Sequence, residues 1–304
     1  MKLNCKEDII QLTPLWKGER SEDGRPKVND KILQRIRNTT IEEMWSPLVR
    51  LGYDFQHVTG LNRSNPDMPT VVGRAVTAQY MPVRPDLAGY LMKYGHETEG
   101  RIGNFNQWPL EELQKDDFII IDMYDKIRNG CAWGGNLTTL IAAKTGCGAM
   151  TWGGVRDIDQ ISGIKTAQFF YRGTDPTPFR EAMLTGINVP INVGMATALP
   201  GDVVLGTEGG VIFIPPHLAE YCIDDAEKTH VRDIFGFIRL HEGKFTAAQV
   251  DTAWEPSMWE DFCEWFPTAP ESSEYRHLDF SAELDNARKG LVLDHVDPHT
   301  DTQG

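Results

Sequence analysis

Nowhere does the sequence run for the roughly 18 consecutive apolar residues that a membrane-spanning helix needs. Its opening residues, MKLNCKEDIIQL, hold no apolar core of signal-peptide length. Both absences point to a cytoplasmic protein. Basic charge is also short: 30 lysines and arginines stand against 44 aspartates and glutamates, a formal charge of −14. A chain so acidic lacks the basic face that grips phosphate backbones or anionic lipid, which excludes nucleic acid and membrane as partners. Cys5, Cys131, Cys147, Cys222 and Cys263 are widely spaced and contain no C-x-x-C, so neither a standard zinc ribbon nor a disulfide framework is present. Cys147 lies in an apolar run and reads as a small buried hydrophobe, whereas Cys131 sits beside a glycine loop and stays open between packing and reactivity. No H-E-x-x-H and no G-x-S-x-G occurs, which disfavours a zincin or a serine-hydrolase elbow.

What remains is an ordinary globular composition, 40% hydrophobic, over 304 residues, long enough for a sizeable core with extensions. Residues 1–28 are polar, and KGERSEDGRPKVND reads as an exposed arm or loop. Helical periodicity follows through Ile32, Leu33, Ile36, Ile41, Met44 and Trp45, with Thr40 and Glu43 at capping-box spacing. TVVGRAVTAQYM (70–81), DFIIIDMYD (117–125), GAMTW (148–152), INVPINV (187–193), DVVLG (202–206) and GVIFIP (210–215) are strand candidates. NLTTLIAAKTG (136–146) is a helix that Asn136 can cap and Gly146 can end. Residues 82–113 carry no clear period and read as an insertion over a site. Residues 217–243 form a long amphipathic helix. The tryptophan-rich AWEPSMWEDFCEWF (253–266) packs on the core or on a neighbouring subunit, and the chain closes in a polar tail.

Chemistry concentrates in the middle. The loop WGGN opens a helix, and the free amides of residues 135–138 are donors at the positive end of its dipole, suited to a carboxylate or phosphate. The loop is neither a G-x-G-x-x-G nor a P-loop, so a nucleotide is not expected. Taken alone, the loop reads first as a tight strand-to-helix turn. The next strand runs into GGVRD, and a right-handed crossover sets Arg156 and Asp157 beside the same loop. Arginine offers a planar fork for a carboxylate, and aspartate a hard oxygen for Mg²⁺, an ion that keeps several waters. On a regular strand these adjacent side chains would point to opposite faces. A solvated turn is the competing reading.

The run AWGGNLTTLIAAKTGCGAMTWGGVRDIDQI, with TVVGRAVTAQ and LPGDVVLGTEGGVIFIP, resembles the RraA-like family, which includes 4-hydroxy-4-methyl-2-oxoglutarate aldolases and the regulator of ribonuclease E activity. The resemblance spans roughly residues 35–235. It implies an α/β fold, a layered α-β-β-α sandwich related to swivelling domains, assembled as a homotrimer or homohexamer. The implied organisation is an arm (1–30), a catalytic domain (31–235, insertion about 82–113) and a C-terminal extension (236–304). In the aldolase branch Asp157 matches the Mg²⁺ (or Mn²⁺) ligand and Arg156 the catalytic residue on the substrate carbonyl. Gly135, Asn136, Leu137 and Thr138 match the segment whose amides, those of Leu137 and Thr138 above all, bind the substrate carboxylate. Asn136 stands where the family often has an acid, and Thr207 and Gly209 replace acidic positions. The acid/base group is then sought at Glu208, Asp122 or Asp125.

The expectation is a divalent-metal-dependent lyase, by retro-aldol cleavage or by decarboxylation of oxaloacetate, acting on a small 2-oxo acid through a pyruvate-type enolate. Two alternatives stand beside it: the same scaffold acting on a sugar-derived acid, and a non-catalytic RraA-like regulator that binds a protein partner.

Overall fold

The computed structural model describes residues 3–291. The polar tail, with His295 and His299, lies outside them. Two compact units form. One holds the described residues up to Ile41 together with Asp54–Glu220, and the other holds Glu42–Tyr53 with the described residues from Tyr221 onward.

The first unit is built on strands β1 (His57–Val58), β2 (Asn62–Arg63), β3 (Val71–Pro82), β4 (Asp117–Lys126), β5 (Gly148–Val155), β6 (Gln168–Thr174), β7 (Ala182–Ile187), β8 (Ile191–Val193), β9 (Ala196–Ala198), β10 (Val203–Thr207) and β11 (Gly210–Ile214). Nine of them make one sheet in the order β1-β11-β10-β3-β4-β5-β6-β2, with β7 also on β3. The strands β3, β4, β5 and β6 are mutually parallel, and the outer partners run antiparallel. Because β3 is long, β10 pairs with its first half and β7 with its second. Helices α1 (Lys6–Leu12), α2 (Asp30–Ile36), α4 (Pro85–Glu97), α5 (Gly135–Thr145) and α6 (Ile158–Ser162) belong to this unit, and α3 (Ile41–Arg50) leads out of it.

The central strands are buried on both faces, as parallel strands under crossover connections must be. In β4, Ile119, Ile121 and Met123 point into a layer with Leu91, Trp108 and Ile141 from the helical side. Phe118 and Ile120 point the other way, against Ile191, Val193, Ala196 and Ala198 of the β8–β9 hairpin. The architecture is thus a layered α/β sandwich, its second β layer a short hairpin.

Several expectations change. INVPINV is not one strand: β7 ends at Ile187, Asn188 is left-handed at φ 53°, and β8 starts after Pro190. Proline lacks the N–H that a continuing ladder needs. Residues 82–113 hold α4 and a 3₁₀ turn, Trp108–Glu112, whose Leu91, Trp108 and Leu110 are buried in the main core. Gly89, Gly95 and the aromatic residues break up the apolar stripe that would have announced the helix. The N-terminal arm is not simply exposed. Arg25 is buried and makes a bidentate pair with Asp117 at 2.8 and 3.0 Å, while its Nε meets Asp23.

The second unit comprises α3 beyond its first residue, most of α7 (Ala219–His241), α8 (Ala247–Val250), α9 (Pro256–Trp265) and α10 (Ser281–Arg288). Phe235, Trp254, Trp259, Phe262 and Phe280 form its aromatic core, with ring centroids 4.8 to 6.3 Å apart. The tryptophan-rich segment therefore fills this unit's own core.

Candidate active site

The crossover from β4 through α5 to the adjacent parallel strand β5 returns the chain beside the loop that precedes α5. Two backbone bonds fasten that loop to the end of β5: Ala132 N–H donates to Gly154 O at 3.3 Å, and Arg156 N–H donates to Trp133 O at 3.2 Å. After Val155 the strand breaks. Asp157 takes a left-handed conformation (φ 57°, ψ 41°) at the cap position of α6. That turn cancels the alternation which would have sent the neighbouring charges to opposite faces. Arg156 Nε and Asp157 Oδ2 instead lie 3.6 Å apart on one cavity of about 390 Å³.

The paired glycines have a concrete cause. A Cβ on Gly134 would collide with the Asp157 carboxylate, and one on Gly135 with the Gln160 side chain. Asp157 Oδ2 accepts the Gly135 N–H at 3.2 Å, so a carboxylate from 22 residues away caps α5. The expected Asn136 cap gives way to this arrangement, because the cap position falls two residues earlier, at Gly134. Thr138 N–H donates to Gly134 O and closes the first turn, and its hydroxyl donates to the same carbonyl. The amide expected on a substrate carboxylate at Thr138 is thus used inside the helix. Among the described residues the N–H groups of Asn136 and Leu137 have no such partner, and both residues line the cavity. They are the donors left for an anion.

Three further placements follow. Asp122 accepts the Tyr124 N–H at 2.9 Å, and burial raises its pKa. Asp125 pairs with Arg172 at 3.0 Å, and Glu208, highly exposed, faces Arg63 at 3.6 Å. None of the three lines the cavity. Cys131 does, but it is buried, its thiol donates to Asp175 O at 3.1 Å, and burial pushes its pKa up. It packs; it is not poised as a thiolate. Cys147 is likewise buried, with its thiol pushed up to about 12. Sequence reasoning missed Asn106, Gln107, Gln160 and Phe179, all on the cavity wall. Gln160 had a signal, lying three residues past Asp157 on the first turn of a helix. The other three come from irregular segments that periodicity does not reach.

The donor set fits a hard divalent cation that keeps most of its waters. Asp157 Oδ2 serves the Gly135 amide, its Oδ1 has no protein partner among the described residues, and the oxygens nearby belong to amides. Among the described residues no group of three or more His, Cys, Asp and Glu could hold a metal. A cation here would therefore rest on one carboxylate. No described helix is long and apolar enough to cross a membrane.

The chain is similar to known proteins. It is 30% identical over 123 residues to a Halalkalibacterium halodurans protein that carries the provisional name 4-hydroxy-4-methyl-2-oxoglutarate aldolase, a match covering 40% of this chain and 57% of that one. In fold it is similar to a protein of uncharacterized function from Pseudomonas syringae (TM-score 0.60, 20% identity, 74% of this chain and 98% of the other). It is also similar to a Streptomyces coelicolor protein described as an unusual member of the RNase ES inhibitor RraA protein family (TM-score 0.59, 22% identity, 70% of this chain and 100% of the other). The RraA-like (Aldolase/RraA) family profile matches residues 39–213, and the chain belongs to that family, which contains both aldolases and RraA regulators.

Proposed function

We propose that this protein is a divalent-metal-dependent carbon–carbon lyase acting on a 2-oxo acid. The observation that carries the reading is the convergence of Arg156, Asp157 and the open amides of Asn136 and Leu137 on one cavity. Those amides, at the positive end of α5, receive the substrate carboxylate. The Arg156 guanidinium donates to the 2-oxo oxygen, where negative charge grows as the carbon–carbon bond breaks. Asp157 would hold the cation, which would supply Lewis-acid stabilisation of the enolate.

In retro-aldol cleavage the C4 hydroxyl gives up its proton, the C3–C4 bond breaks, and its electron pair passes into the pyruvate enolate. The C4 fragment leaves as a carbonyl compound, and C3 of the enolate then takes a proton. Among the described residues no carboxylate apart from Asp157 lines the cavity, so the hydroxyl proton leaves to water rather than to Glu208, Asp122 or Asp125. Loss of carbon dioxide from oxaloacetate delivers its electron pair to the same enolate, and one site serves both reactions.

The test is pyruvate release from 4-hydroxy-4-methyl-2-oxoglutarate, from a 2-oxo-3-deoxyaldonate and from oxaloacetate, with Mg²⁺ and with chelator. Metal-dependent release from at least one is expected. Asp157→Ala should abolish the metal dependence, and Arg156→Ala should lower kcat by about 10²-fold or more. Turnover indifferent to chelator and to both substitutions would remove the assignment.

A further inference from the structure

The cavity wall also bears on what the rest of the substrate is made of, on the footing that the site binds a 2-oxo acid as proposed above. Among the described residues Arg156 is the one cationic side chain on it, and Arg156 already faces Asp157. The polar remainder is four side-chain amides: Asn106, Gln107, Asn136 and Gln160.

Two of these are held in a definite sense. Asn106 Nδ2 donates to Ala132 O at 2.9 Å, which fixes the sense of the amide and leaves Oδ1 and the second N–H open. Gln107 Oε1 accepts the Asn104 N–H at 2.7 Å, which leaves the NH₂ of Gln107 as its free end. Neither assignment is arbitrary, because a carbonyl needs a donor and an N–H needs an acceptor. Adjacent residues thus offer an acceptor beside donors. A hydroxyl satisfies both, since it donates one hydrogen bond and accepts others. A carboxylate only accepts, so it would leave the Asn106 oxygen without a donor and find no cation of its own. Phe179, Trp133, Leu137 and Ala132 supply apolar surface, suited to the C–H faces of a carbon chain.

We infer that the substrate is a monocarboxylic 2-oxo acid with a neutral, hydroxylated tail, of the 2-oxo-3-deoxyaldonate class, rather than a dicarboxylate. The substrate carboxylate takes the Asn136 and Leu137 amides, and the tail hydroxyls take Asn106 and Gln107.

Calorimetric titration of the full chain with Mg²⁺ compares 2-oxo-3-deoxyhexonate with 4-hydroxy-4-methyl-2-oxoglutarate, and pyruvate release is followed in parallel. The hydroxylated ligand should bind at least tenfold more tightly. Asn106→Leu should erase most of that preference, and Gln107→Arg, which adds the missing cation, should raise affinity for the dicarboxylate at least fivefold. Preference for the hydroxylated ligand without pyruvate release would uphold the recognition and sink the lyase reading. Preference for the dicarboxylate, or binding of neither ligand, would overturn the inference, and the pyruvate assay with oxaloacetate would then judge the lyase reading separately.

Discussion

Gly134→Ala is the most informative single change in this fold. The backbone of Gly134 is extended (φ −135°, ψ −157°), a conformation open to any residue, so alanine meets no backbone penalty there. The whole cost comes from the added methyl, which would overlap the Asp157 carboxylate and press on Arg156 Cγ at 3.0 Å. Overpacking of this kind costs about 1–3 kcal/mol. Displacing Asp157 also breaks its bond to the Gly135 N–H; because that carboxylate is 38% exposed, we discount the loss to about 1 kcal/mol or less. Urea denaturation of the wild type, Gly134→Ala, Asp157→Gly and the double variant makes a thermodynamic cycle. Glycine at 157 keeps the left-handed turn accessible while it removes the clashing group. The double variant should therefore recover about 1–2 kcal/mol relative to the sum of the singles. Amide exchange at Gly135 should accelerate in both single variants. Strict additivity, within about 0.5 kcal/mol, would mean that Asp157 does not pack on the glycine loop and would refute the geometry.

Other perturbations probe other parts. Arg25→Ala should destabilise the first unit by about 3–5 kcal/mol in denaturant titrations, because it leaves the Asp117 carboxylate buried without its bidentate partner. An arm that is merely decorative would show no change. Burial lifts the Asp202 carboxyl to about 7, from an ordinary value of 3.8. The folded state thus favours the protonated form, and the resulting stability is complete below about pH 4 and lost as pH rises through about 7. Asp202→Asn should flatten that slope, at most about 1.4 kcal/mol per pH unit, and an unchanged slope would count against it. In the second unit, His230 Nδ1 lies 2.8 Å from Glu43 Oε1, and this hydrogen bond raises the histidine's pKa above 6.5. Glu227, Asp233 and the Tyr275 ring also face it. Its stabilisation is full below pH 6.5 and declines as pH rises through the elevated value. His230→Gln should remove that decline from pH-dependent unfolding, and a variant with the wild-type profile would refute the coupling.

How far the sequence could be read depended on whether a feature was local and periodic. DFIIIDMYD is apolar on both faces because β4 lies between two hydrophobic layers, and both its strand character and its burial follow from composition alone. The long helix α7 and the capped end of α5 at Gly146 were equally legible, since amphipathic period and a left-handed glycine (φ 65°) are properties of neighbouring residues. The strand β6 went unread although QFFYRGT is rich in aromatics and the turn-favouring Asp175-Pro176 follows it. The adjacency of Arg156 and Asp157 was visible, but its meaning was not. It rests on one left-handed residue, and aspartate is among the few side chains that tolerate that region. The same turn explains the glycine pair 22 residues earlier, since Gly134 and Gly135 are the space that Asp157 and Gln160 occupy. The two motifs are therefore one structural object, a carboxylate seated on a helix terminus, and a substitution in either half should be felt in the other. Asn106 and Gln107 could not have been placed by any such rule. They reach the cavity through the packing of Trp108 and Leu110 into the core beside them, a tertiary fact that no local pattern encodes.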